Sequence, residues 1–250
     1  MVLRKLFVVI YGLCLMFSIT GGAAVSASDV PEEYKNADIL QGGLLYDNWP
    51  KVIGEMPPEG NHSLYPAASK KKGSTTWRCK ECHGWDYIGK DGRYKSGSHF
   101  TGISGIEKAK DKPAKQLYSS LTDTVNKHDF SAQISSEDLW ALTRFIKEGL
   151  YDIASVINTD GKSSGALEQG KTMFQVSCVE CHGAGGNELD FESKKTGIQG
   201  VGFLANDNPQ ETLHKILWGN PDTDMPSLIV NGGKKFQDAV DILSFAQTLN

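Results

Sequence analysis

Two pentapeptides concentrate the chemistry of this chain: Cys79-Lys80-Glu81-Cys82-His83 and Cys178-Val179-Glu180-Cys181-His182. In each, two thiols three positions apart fall on about one helical turn, with an imidazole directly after the second. This spacing suits covalent haem attachment. Each thiol adds to one vinyl group of the same porphyrin, and the histidine lies under the iron as its proximal ligand. A dithiol–disulfide site uses C-x-x-C but has no need of a histidine after both copies. A zinc site could draw on the same residues, but ligands from two distant motifs would have to converge. The expectation is two covalently bound haem c groups, held through Cys79 and Cys82 and through Cys178 and Cys181, with His83 and His182 on the irons.

The elements that must position these motifs are helical. Ser135 and Asp138 are spaced as a capping box, and Leu139, Leu142, Phe145 and Ile146 follow at helical spacing. Phe236, Val240, Leu243, Phe245 and Leu249 repeat in the same way near the C-terminus. Shorter helices are expected over 114–121 and 210–218, each beginning beside a proline, Pro113 or Pro209. No strand pattern of any length is visible, so the fold class is all-α or mostly α. Residues 54–73, with Pro57, Pro58, Gly60, Pro66 and a run of three lysines, read as a surface insertion without regular structure. Residues 158–165 read as the linker between a first domain (28–157) and a second (166–250).

The first 27 residues read as an export signal: Arg4 and Lys5, an apolar run from Leu6 to Ile19, then small residues up to Ala27. The apolar run is short for a spanning helix, although a retained anchor would tether the protein. Cys14 lies within this segment, so the mature chain keeps four cysteines, all of them in the two motifs. Of 250 residues, 39% are hydrophobic and 22% charged, as in a soluble globular protein. The net charge of −4 argues against nucleic acid as a partner. The attachment chemistry and the export signal together place the protein in a periplasm.

An internal repeat accompanies the motifs. Gly170 and Phe174 precede Cys178 by eight and four residues, and Gly42 and Tyr46 form the same pair ahead of the insertion. With the C-x-x-C-H motifs, this glycine–aromatic pattern resembles the class I cytochrome c family, and the mature chain is similar to dihaem cytochromes c of bacterial periplasmic type. The resemblance implies two tandem class I domains, each a set of helices around one haem, with the distal iron ligand on a loop before the final helix.

In the second half that loop carries Asp224-Met225-Pro226, which matches the family's methionine ligand. The first half has no methionine between Cys79 and its final helix. Met225 follows His182 by 43 residues and His128 follows His83 by 45, which makes His128 the expected distal ligand there. His99, in a glycine-rich loop 16 residues after His83, is its rival, and Met56 in the insertion is a third candidate. His62 and His214 read as surface or structural residues. Trp77, Trp85 and Tyr87 read as packing around the first motif. Arg78 and Arg93 could pair with propionates or stay solvated. Lys108, Lys110, Lys112 and Lys115 form either a docking patch or a solvated face.

Two closed, six-coordinate irons imply electron transfer between redox partner proteins, with a lower-potential His/His site and a higher-potential His/Met site. The competing classes are a dihaem redox enzyme of thiosulfate dehydrogenase or peroxidase type, which needs an open or unusual ligand at one iron, and the cytochrome subunit of a larger oxidoreductase.

Overall fold

The computed structural model describes residues 30–191 and 197–249; the export segment read from the sequence, with Cys14, lies outside the described residues. The chain is mostly α. The first half comprises α1 (Glu32–Asn36), α2 (Ile39–Ile53), α3 (Cys79–His83), α4 (Ala114–Leu121), α5 (Ser136–Arg144) and α6 (Ile153–Val156). The second comprises α7 (Leu167–Ser177), α8 (Val179–His182), α9 (Val201–Asp207), α10 (Pro209–Trp218) and α11 (Phe236–Ala246). The signals for α4, α5, α10 and α11 act as expected. Ser135 caps α5 by accepting from the Asp138 amide at 3.1 Å, and Pro209 opens α10 in its first turn. The 54–73 insertion consists of turns and bends until a single 3-10 turn at Gly73–Trp77.

One element departs from the sequence expectation. Thr122–Asp123 (β1) and His128–Asp129 (β2) form a small antiparallel ladder that pairs Asp123 with His128. Two-residue strands offer no alternation to read, so composition and periodicity are silent about them.

Each half is organised by one helix crossing. In the first, α2 meets α5 at Gly42, where an added Cβ would stand 2.1 Å from the Ala141 carbonyl oxygen. In the second, α7 meets α11 at Gly170, where it would stand 1.9 Å from the Asp241 carbonyl oxygen. Only a residue without a side chain lets the backbones approach so closely. One turn later the aromatic partner of each glycine, Tyr46 or Phe174, is buried in the core.

The main hydrophobic core runs through both halves and includes Leu45 and Trp49 of α2, Leu142 of α5, Leu217 of α10 and Leu243 of α11. The seam between the halves is tight. Gly43 leaves room for Trp218, whose ring would stand 2.8 Å from a Cβ at that position. Beside it the fully buried His214 bridges the halves. Its Nε2 donates to the Gly43 carbonyl at 3.1 Å, so its Nδ1 accepts from the Tyr87 hydroxyl at 2.9 Å. The expected linker is ordered against the second half. Asn158 Oδ1 accepts from the Asp160 and Lys162 amides, and the Ser163 hydroxyl donates to the Val240 carbonyl at 2.9 Å.

These contacts generate two predictions. Gly170→Ala forces α7 and α11 apart; thermal unfolding should show a loss on the order of 2–3 kcal/mol, or roughly 5–10 °C in Tm. An unchanged Tm would show that the crossing has slack. The second concerns His214, whose imidazole is pushed down to about 4, chiefly by burial, against an ordinary value of 6.5. The unfolded chain therefore takes up the proton first as pH falls. The contribution of His214 is complete above pH 6.5, is lost between pH 6.5 and 4, and totals on the order of 3 kcal/mol. Denaturant titrations across that window should show a shallower pH slope for His214→Gln than for the parent.

Candidate functional site

The first site is built around α3. The helix ends at Gly84, which takes φ 81° and whose carbonyl accepts from the Tyr46 hydroxyl at 2.5 Å. Gly183 repeats the turn after α8 with φ 72°. A left-handed residue is thus required directly after each histidine, and glycine supplies it without strain.

Cys79, Cys82 and His83 line a cavity of about 250 Å³ together with His128, Leu142 and Ile146. Two elements aim the two imidazoles. His83 Nδ1 donates to the Ser104 carbonyl at 2.8 Å. His128, placed by β2, donates from Nδ1 to the Ser120 carbonyl at 2.6 Å. Each ring therefore keeps Nε2 free as a ligand nitrogen. The ring centres are 6.2 Å apart with planes at 75°. Metal–imidazole bonds run about 2 Å and each bonded nitrogen lies about 1 Å from its ring centre, so rings on opposite sides of one metal sit about 6 Å apart. Burial pushes the His83 imidazole down to about 4, with His128 reinforcing the shift and the Ser104 carbonyl opposing it. The neutral ring that results is the metal-binding form.

The other candidates in this half lie elsewhere. His99 bonds Glu81 at 3.0 Å and stacks on Tyr94 with ring centres 4.7 Å apart; it is not among the residues lining the cavity. Met56 is 88% exposed. His62 is more than a surface residue: it is buried, lines the cavity and stacks on Phe130. The insertion that carries it contributes a wall of the site, which turn-rich composition gives no means of foreseeing. Trp77 is in that wall as well, whereas Trp85 and Tyr87 pack at the seam near His214. The Arg78 guanidinium is committed to Asp47. Lys108, Lys110, Lys112 and Lys115 are all exposed, and Lys112 reaches the cavity rim.

The second site repeats the plan with one change. Cys178, Cys181, His182 and Met225 line one cavity of about 620 Å³, and Cys178, His182 and Met225 also line an adjoining one of about 340 Å³ with Phe174. The Met225 loop is closed by the Asn220 amide, which donates to the Met225 carbonyl at 3.3 Å. Gly219 passes so near that a Cβ would stand 2.8 Å from that carbonyl. Met225 thus lines the same cavities as Cys178 and His182.

Ser104, which orients His83, is the functional residue that the sequence analysis missed. A signal exists: Ile103-Ser104-Gly105-Ile106 parallels Ile198-Gln199-Gly200-Val201. At the second site, His182 Nδ1 is buried with no hydrogen-bond partner among the described residues, and the Gln199 carbonyl accepts from the Phe191 amide at 3.1 Å.

The four motif cysteines form no disulfide with one another. Burial pushes Cys79 and Cys82 up to about 12 and Cys178 up to about 11. Among the described residues, no group of three or more His, Cys, Asp or Glu is placed to hold a metal ion by itself. No helix among them is long and apolar enough to cross a membrane. In comparisons with known proteins, no family model matches this chain and no curated protein matches it.

Proposed function

We propose that this chain is a dihaem cytochrome c of two class I domains that passes electrons between redox partner proteins after export to the periplasm. The observation that carries the reading is the His83–His128 pair: two imidazoles, each tethered through Nδ1, with centres 6.2 Å apart across a cavity that also presents Cys79 and Cys82. The residues fit the group. Each half offers two thiols on one turn, a histidine beside them, and a further side chain from a separate segment, His128 or Met225, lining the same cavity. When bound, haem c supplies a one-electron iron couple at each site.

The remaining work falls to the chain. His83 and His128 would hold the iron of the first haem, and His182 and Met225 that of the second. Four side-chain ligands would leave no vacant position for a substrate, which favours electron transfer over bond-making chemistry. A second nitrogen donor favours the oxidised iron relative to a thioether, so the first site takes the lower potential and the second the higher.

Intact mass and spectroscopy of the matured protein test this reading. Two haem additions, a start near Ser28, and low-spin ferric signals from both sites are expected. His128→Ala should turn the first site high-spin and open it to carbon monoxide, and Met225→His should lower the potential of the second. Fewer than two additions would overturn the proposal. A high-spin ferric haem that binds carbon monoxide in the parent protein would favour the redox-enzyme class instead.

A further inference from the structure

We propose that Asp47 is a positioning residue shared by the two sites, holding both ligand-bearing segments with one buried carboxylate and coupling their redox potentials. The inference rests on the dihaem reading above. Asp47 lies on α2, directly after the core aromatic Tyr46, and is 1% exposed. Its two carboxylate oxygens face different halves of the molecule. Oδ1 accepts from the Arg78 guanidinium at 2.5 Å and Oδ2 from the Lys215 ammonium at 2.7 Å. The Asp47 main-chain carbonyl accepts a second bond from Arg78, through Nε, at 2.7 Å.

Each cation leads to a site. Arg78 lines the first cavity immediately before Cys79, and its carbonyl accepts from the Glu81 amide at 3.0 Å as the motif helix begins. Lys215 lines the second site and donates to Asn220 Oδ1 at 2.6 Å. Asn220 in turn holds the Met225 carbonyl. One side chain is thereby connected to the haem-attachment turn of the first half and, through two further hydrogen bonds, to the distal-ligand loop of the second.

The internal repeat shows that the helix crossing does not require this carboxylate. The position equivalent to Asp47 in α7 is Gln175, which is exposed. Burial works against the charge on Asp47, but Lys215, His214 and Arg78 outweigh it and hold the carboxyl below its ordinary value. A fixed negative charge in a poorly solvated seam acts over longer range than one at the surface. It stabilises the oxidised, more positive state of any redox centre nearby and so lowers the potential. Between two centres it lowers both.

The test is spectropotentiometric titration of both haems in the loaded, full-length protein, with thermal unfolding alongside. Asp47→Asn keeps the shape and removes the charge, and both midpoint potentials should rise together. Asp47→Glu restores the charge and should return both toward the parent values. Lys215→Gln removes a cation while leaving the Arg78 pair intact; it should lower chiefly the second potential and weaken the thioether–iron absorption band. If Asp47→Asn does not fold, Lys215→Gln together with Arg78→Gln, which should lower chiefly the first potential, decides the matter. A lower Tm with both potentials unmoved would reduce Asp47 to a structural residue and overturn the inference, and a shift at one site alone would overturn the sharing. Two haem additions with unmoved potentials would leave the dihaem reading standing, whereas fewer than two additions on the parent chain would overturn both.

Discussion

Two backbones that touch without a side chain between them set the geometry of this molecule. Where α2 crosses α5 and α7 crosses α11, the helix axes are drawn together at Gly42 and Gly170 because any Cβ there would overlap a carbonyl oxygen. The residue one turn on then has a fixed direction. Tyr46 and Phe174 point into the core, and the Tyr46 hydroxyl reaches Gly84, the left-handed residue that ends the first motif helix. The crossing, the aromatic and the motif are thus one mechanical unit in the first half; in the second, where Phe174 has no hydroxyl, its main-chain carbonyl accepts from the Cys178 amide at 2.9 Å. The intervening 54–73 insertion is accommodated because loop closure costs little more for a longer loop, and it returns as a wall of the first cavity through His62.

Between the two units the seam is polar where a simple fusion of two cores would be apolar. Tyr87, His214 and the Gly43 carbonyl form a chain of hydrogen bonds with no exposed member side chain. Asp47 sits among Arg78, Lys215 and His214. Buried polar groups of this kind contribute modestly when satisfied and cost heavily when one partner is lost. Their physical effect is to permit one relative placement of the halves. Electron transfer is steeply sensitive to the separation of its centres, so a seam that tolerates a single arrangement suits the proposed activity better than a greasy one that could slide.

How much of this was legible beforehand differs by kind of signal. Covalent spacing is local, so the two C-x-x-C-H turns could be read directly. Helix caps and apolar periodicity are also local, and α4, α5, α10 and α11 fall where Pro113, Ser135, Pro209 and the Phe236 series place them. The pairing of His128 with His83 was reachable only by borrowing the spacing of the second half, since nothing around His128 itself marks a ligand. The two-residue ladder that aims it carries no pattern at all. Least legible were the contacts between halves. His214 looks like any helix-borne histidine, and Asp47 like any charge on an amphipathic helix. Their roles depend on residues 127 and 168 positions away, for which a single sequence carries no signal.

The thiols give an order of events. In the folded chain Cys79 and Cys82 are pushed up to about 12 by burial, so almost none of either is thiolate near neutral pH, and the thiolate is the reactive form. Both also line the first cavity together with Trp77 and His62. On the proposed dihaem reading, attachment to these two thiols would be favoured earlier, while the motif is still unpacked from α2. In the second motif Cys181 stays exposed, while burial pushes its neighbour Cys178 up to about 11. On the same reading, the first haem would be joined before the Gly42 crossing is made, and the two halves, alike in plan, would differ in how exposed their thiols are once folded.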